Sequence, residues 1–197
     1  MSVTGRALLA SAFCIALTIF FAALAPAAES VEARLASCLE CHGAQGQSET
    51  PLVPSLGGQP EFYLGVQLLM FRDNIRDVPP MTEMLQGASN ADLQAMAAYL
   101  KKLPAPAPRA VAVDQPRMER ARALIEQHRC TFCHSSNYAG GENVPRLAGQ
   151  REDYLAKSLR DYKSNARRGY DASMADVIYP LNEAQLLDLA YFLSHQP

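Results

Sequence analysis

The chain has 197 residues, with 18 Lys and Arg against 20 Asp and Glu for a formal net charge of −2. That balance, with no long charge run, excludes a nucleic-acid binder, and 49% hydrophobic residues with no Trp describe an ordinary globular protein. The length allows one to two domains.

Residues 1–28 stand apart from the rest. Arg6 supplies a positive start, Ala7 to Leu24 is almost wholly apolar, and Ala25-Pro26-Ala27-Ala28 offers small residues for cleavage after Ala27 or Ala28. This is the pattern of a secretory signal peptide. An uncleaved membrane anchor is the other reading, since about 20 apolar residues can span a bilayer; the small-residue exit favours cleavage. Export implies an oxidising compartment, the periplasm.

The first helix is expected from Val31 to Ser37, running into Cys38. Pro60 opens the next, through Tyr63, Leu64, Leu68, Met70 and Phe71. Ser89-Asn90-Ala91-Asp92 has the N-cap pattern of another, carried on through Leu93 to Leu100. Leu103-Pro104-Ala105-Pro106-Ala107-Pro108-Arg109 then alternates Pro and Ala, which blocks helix and favours polyproline II. Residues 104–109 therefore read as a semi-rigid linker between domains at 29–103 and 110–197. Beyond it, Asp114 can N-cap and Pro116 suits the first turn of a helix whose apolar face is Met118, Leu124 and Ile125, up to Cys130. A further helix spans Arg151 to about Ser164, and Asn182-Glu183-Ala184-Gln185 opens the last. There is no alternating strand pattern, so the expected fold class is all-α.

The two halves repeat each other. Cys130 follows Cys38 by 92 positions (130 − 38), and most other matches fall at 91, such as Gln150 after Gln59. Pro54-Ser55-Leu56-Gly57-Gly58-Gln59 matches Pro145-Arg146-Leu147-Ala148-Gly149-Gln150, Tyr63 matches Tyr154, and Asn74 and Arg76 match Asn165 and Arg167. Charge does not repeat: residues 29–103 hold 5 basic and 9 acidic residues (−4), residues 109–197 hold 12 and 11 (+1). Such a difference orients docking when each half meets a different partner.

The chemistry lies in Cys38-Leu39-Glu40-Cys41-His42 and Cys130-Thr131-Phe132-Cys133-His134. A lone C-x-x-C also suits a thioredoxin-like pair, half a zinc site or a disulfide. The adjoining His, present twice, points to C-x-x-C-H attachment of c-type heme. Two thiols three residues apart on a helical turn reach the two vinyl groups of one porphyrin, and His42 or His134 then sits under the iron as proximal ligand. Apart from Cys14 in the leader, the four motif cysteines are all the chain has, which leaves none for a structural bridge.

For the sixth ligand the first copy offers Met81 and Met84, the second only Met174. Met174 lies eight residues before Asn182 and Met81 eight before Ser89, whereas Met84 lies five before, so register selects Met81. Both are expected on loops before the last helix of each half. A soft thioether favours ferrous iron and fills the coordination sphere, which suits electron shuttling. Arg76 and Arg167 suit either heme propionates or a solvated helix end, Tyr63 and Tyr154 suit the lining of a heme pocket or, preferred here, helix packing, and His128 and His195 read as surface residues rather than ligands.

With these motifs the chain resembles the diheme cytochromes of the cytochrome c4 type, tandem class I cytochromes c, over residues 29–197. The resemblance implies two all-α domains, each wrapped around a covalent heme c, packed heme edge toward heme edge. It implies that Pro54 and Pro145 accept a hydrogen bond from His42 and His134, fixing each tautomer. It also implies periplasmic electron transfer to redox partner proteins, a terminal oxidase or reductase, with any membrane association peripheral and through the partner. Two other readings remain: the heme subunit of a dehydrogenase complex such as a flavocytochrome, or a diheme peroxidase or thiosulfate-oxidising enzyme. Ser135 departs from the Gly that follows the first motif at Gly43.

Overall fold

The computed structural model describes residues 30–167 and 172–197. The expected leader, with its cleavage site and Cys14, lies outside the described residues. Among the described residues no helix is long and apolar enough to cross a membrane, and the only strand-like feature is one isolated bridge, Gly141 to Val144.

In the first half, α1 (Val31–His42) is capped by the Ser30 hydroxyl, which accepts from the Ala33 N–H (3.2 Å). It runs past Ser37 through the whole first motif, because Leu35, Cys38 and His42 fall on one buried face at helical spacing. Gly43 ends it at φ +85°, where a Cβ would stand 2.0 Å from the Gln47 carbonyl oxygen. Only glycine fits there. The matching Ser135 also has positive φ (68°), and its hydroxyl donates to the Gly140 carbonyl (3.1 Å).

α2 (Glu61–Arg72) packs on α4 (Asn90–Lys102), with Leu64, Leu68 and Phe71 meeting Leu93, Met96 and Leu100. Between them lies α3 (Pro79–Met84). The expected Met81 loop is thus a helix: Pro79 and Pro80 occupy its first turn, where a missing N–H leaves no bond unmade. The same correction holds in the second half, where Met174 lies in α8 (Ala172–Ile178).

The second half comprises α5 (Gln115–Gln127), α6 (Thr131–His134), α7 (Glu152–Lys163), α8 and α9 (Glu183–Ser194). Asp114 caps α5 as expected, accepting from the Arg117 N–H (3.1 Å). Here the helix breaks before the motif: Arg129 takes φ 54°, Cys130 N–H reaches back to the Ile125 carbonyl (3.1 Å), and the motif forms the separate turn α6. α9 packs against both α5 and α7. α4 and α9 each open on a full capping box, Ser89 with Asp92 and Asn182 with Gln185. Each half has its own apolar core.

The halves meet along their matched Pro-x-Leu-x-Gly-Gln segments. Gln59 Nε2 donates to the Arg146 carbonyl and its Oε1 accepts from the Arg146 N–H, both at 2.9 Å. Gln150 makes the same pair with Ser55, both at 2.8 Å. Ser55 and Arg146 are themselves matched positions, so the contact has approximate two-fold symmetry, as an isologous interface does. The Pro/Ala segment runs along this seam: a Cβ on Gly57 would lie 2.0 Å from Pro104 O, and one on Gly149 2.3 Å from Pro106 O.

Candidate heme-binding site

α1 and α6 bring each motif histidine inward; both are buried. His42 Nδ1 lies 2.7 Å from the Pro54 carbonyl oxygen and His134 Nδ1 lies 3.1 Å from that of Pro145. A carbonyl only accepts, so Nδ1 carries the proton and Nε2 keeps its lone pair for a metal. Burial lowers the His42 pKa, against the Pro54 bond that raises it, and keeps the ring neutral and ligand-ready.

The cleft these rings line is continuous between the halves. Met81 and Met174 both line it, with Leu64, Leu68 and Phe71 on one side and Leu155, Leu159 and Ile178 on the other. Met84 lines a different hollow, with Arg34, Pro80, Glu83 and Gln86. The geometry therefore separates the two candidate methionines of the first half. Cys130 and Cys133 line the cleft, Cys38 is buried on α1, and Cys41 is exposed. Burial pushes the Cys130 thiol up. Among the described residues no three His, Cys, Asp or Glu side chains converge to hold a bare metal ion.

No carboxylate among the described residues lines the cleft, yet Arg76, Arg146 and Arg167 do. Asn74 (φ 53°) and Asn165 (φ 58°) put Arg76 and Arg167 in place: each takes the left-handed turn that asparagine tolerates and folds the chain back over the end of α2 or α7. Arg76 stacks on Phe71 (4.6 Å to the centroid) and Arg167 on Tyr162 (4.9 Å). Each then crosses to the opposite half. Arg76 donates to the Tyr154 hydroxyl (3.2 Å), and Arg167 to the Tyr63 hydroxyl (2.8 Å). Gln67 Oε1 accepts from both arginines, at 2.6 and 3.3 Å. Desolvation raises the Tyr154 pKa, but Arg76 and Arg167 outweigh it and bring the hydroxyl down to about 7.

Arg167 is buried, not solvated, and its Nε finds no partner among the described residues. The tyrosines join the halves as well as packing their helices. His128 is half-buried on the cleft wall, and His195 is half-buried with Nδ1 donating to the Tyr191 carbonyl (2.7 Å). Gln59, Gln67 and Gln150 bond across the halves or to groups that do, and only the repetition of Gln59 at Gln150 signals this in the sequence.

Apolar walls, two fixed imidazoles, vicinal thiols and cationic charge that no carboxylate among the described lining residues answers fit a heme with its carboxylates in each half. The fold and cleft define a protein with two c-type heme modules in one chain. The sequence profile of cytochrome c matches residues 28–104 and again 118–197. The chain is 36% identical over 172 residues to a thiosulfate dehydrogenase electron acceptor of Thiomonas intermedia (strain K12), covering 82% of this chain and 79% of that protein. It is 34% identical over 142 residues to cytochrome c4 of Pseudomonas aeruginosa, covering 69% and 71%. The crystal structure of reduced recombinant cytochrome c4 from Pseudomonas stutzeri superposes with a TM-score of 0.74 at 27% identity, over 86% of this chain and 100% of that one. The chain belongs to the cytochrome c family, as a diheme electron-transfer protein of the cytochrome c4 type with two covalently bound heme c groups.

Proposed function

We propose that this protein is a periplasmic carrier without an enzymatic reaction of its own, taking electrons at one module and passing them from the other to a terminal oxidase or reductase. Its modules occupy residues 29–103 and 110–197, joined by the 104–109 linker, after a cleaved leader at 1–28. In the first module Cys38 and Cys41 form the thioethers and His42 and Met81 are the axial ligands. In the second, Cys130 and Cys133 form the thioethers, with His134 and Met174 axial. Heme iron supplies a reversible one-electron change when bound. The chain's own part is to orient it: Pro54 and Pro145 hold each proximal imidazole in one tautomer, and the thioethers of Met81 and Met174 favour the ferrous state.

The observation that carries this reading is the placement of one Met from each half in the cleft that holds His42 and His134. With both axial positions taken, no open site is left for peroxide or oxygen. A narrower reading has support of its own: the similarity to a thiosulfate dehydrogenase electron acceptor favours a dehydrogenase as electron donor. The charge difference between the halves suits separate donor and acceptor docking.

The test is optical. The full chain is expressed with periplasmic heme-attachment machinery, covalent hemes are counted, and the weak far-red iron–methionine band of the oxidised protein is measured. Two hemes with two equivalents of the band support the carrier. One equivalent, or rapid stoichiometric carbon monoxide binding to one ferrous heme at native pH, overturns it in favour of a diheme enzyme. Co-purification with a larger catalytic chain would identify a dedicated dehydrogenase subunit.

A further inference from the structure

The helix that carries Met81 has few anchors of its own. None of the six residues of α3 is buried, and its last turn holds no cation to answer its free carbonyls. Arg34, on α1, supplies that cation. Its Nη1 donates to the Met84 carbonyl (2.7 Å) and its Nη2 to the Gln86 carbonyl (3.0 Å), on either side of Leu85. Leu85 is wholly buried in the first core, so one apolar and one cationic anchor fix the turn that ends α3. Arg34 is itself 6% exposed and lies on the face of α1 that holds Cys38 and His42, at i, i+4 and i+8. The stripe that presents a motif thiol and the proximal imidazole thus also presents a guanidinium that reaches the methionine side. The Ser89 bonds, against desolvation and helped by Arg34, hold the Asp92 carboxyl below the usual carboxylate range, so the buried cation has an anion in its field.

We propose that Arg34 is a positioning residue, a strut from the heme-attachment helix to the Met81 helix that keeps Met81 on the first iron. The proposal rests on the His42 and Met81 ligation of the first module. An opening in which α3 swings away breaks both charge-assisted bonds. The second module has no matching strut among the described residues. Four residues before Cys130 stands Glu126, exposed and of opposite charge, and the helix breaks before the motif. The end of α8 is held instead by the exposed Lys163 of α7, which donates to the Tyr179 carbonyl. The strut therefore belongs to one heme, and the other serves as its internal reference.

The direction follows from population. An added ligand reaches the sixth position only in the fraction of molecules whose methionine is off the iron, so its apparent affinity scales with that fraction. Weakening the strut enlarges the fraction at the first iron alone. Helix packing in general would not produce that selectivity.

The experiment titrates the oxidised holoprotein with imidazole and follows each heme by its own heme-methyl proton resonances, assigned with Met81→Ala and Met174→Ala. Arg34→Gln keeps a polar side chain and loses the charge. It is expected to raise the first heme's apparent imidazole affinity about tenfold, the order that a lost charge-assisted bond allows. Arg34→Lys keeps the charge but not the fork, and should fall between the parent and Arg34→Gln. The second heme's affinity should not change in either variant. Leu93→Ala, a core truncation on α4 outside the strut, lowers the stability of the same module and should leave both affinities at the parent's values. A first heme unmoved by Arg34→Gln, a rise shared by both hemes, or an equal rise in Leu93→Ala would overturn the strut while leaving the carrier intact. A parent protein whose first heme shows no iron–methionine ligation would instead remove the reading beneath it.

Discussion

Gln150 holds Ser55 at two points, its Oε1 accepting from the Ser55 N–H and its Nε2 donating to the Ser55 carbonyl, both at 2.8 Å and both buried. A primary amide can satisfy a backbone N–H and C=O at once, so it imitates one rung of a β-ladder without a strand. Gln59 does the same for Arg146 in the opposite direction, and the pair sets the alignment of the two modules.

Gln150→Ala is expected to destabilise the docked pair by about 2–4 kcal/mol, since it leaves a buried N–H and a buried C=O unbonded at Ser55. Ser55 is 3% exposed, so water cannot replace the lost amide. Gln59→Ala should cost less, about 1–2 kcal/mol, because Arg146 is only half-buried. Denaturant unfolding of the holoprotein checks the order; equal losses would mean burial does not set it.

Met81→Ala should abolish one equivalent of the iron–methionine band, and Met174→Ala the other. Met84→Ala should keep both, because Met84 lies beside Arg34, whose Nη1 donates to the Met84 carbonyl (2.7 Å), away from the cleft. Spectra of the oxidised variants decide the matter. A band lost with Met84 and kept without Met81 would reverse the assignment.

Gly57→Ala should force the linker off the first module, since the new Cβ would stand 2.0 Å from a backbone oxygen, Pro104 O, that cannot rotate away. The expected loss is about 1–3 kcal/mol, as for other overpacked sites. Proteolysis should quicken within 104–109. Gly141→Ala is the control, because nothing lies within 4 Å of its added Cβ. A Gly57 variant as resistant as the Gly141 variant would show that the linker does not rest there.

Asp188 ties α9 to α5 through Arg120 (2.6 Å) and Arg117 (3.1 Å). The Arg120 bond, against desolvation and aided by Arg117, holds its carboxyl below the usual carboxylate range. The folded state therefore prefers the ionised form, and the stabilisation is complete above the unfolded pKa of about 3.9 and lost as pH falls through the lower folded value. Thermal melts should show the second module losing stability below about pH 4, and Asp188→Asn should flatten that slope while costing about 1–2 kcal/mol near neutrality. An unchanged acid slope in the variant would assign acid sensitivity elsewhere.

Much of this protein is local chemistry, and local chemistry is legible in a sequence. Cys, Cys and His at C-x-x-C-H spacing specify a heme site because three groups on adjacent turns must reach one porphyrin. The capping boxes at Ser89 and Asn182 mark two helix starts because the bonds close within four residues. The spacing of Met81 and Met174 from those starts picks out the two methionines that line the cleft with His42 and His134. Local signals misled where two patterns overlapped: Pro79-Pro80 read as loop, but proline in a first turn begins a helix.

What lies between the modules was decided by tertiary structure. Arg76 and Tyr154 stand 78 residues apart, and Arg167 and Tyr63 stand 104 apart. No periodicity joins such pairs; only the approximate two-fold docking of a duplicated chain does. An arginine at a helix end is solvated by default, and its burial depends on which surface closes over it. The sequence by itself determined two heme modules, because C-x-x-C-H attachment is encoded within a few turns. The cross-bonded seam needed the fold, because each of its bonds depends on both modules at once.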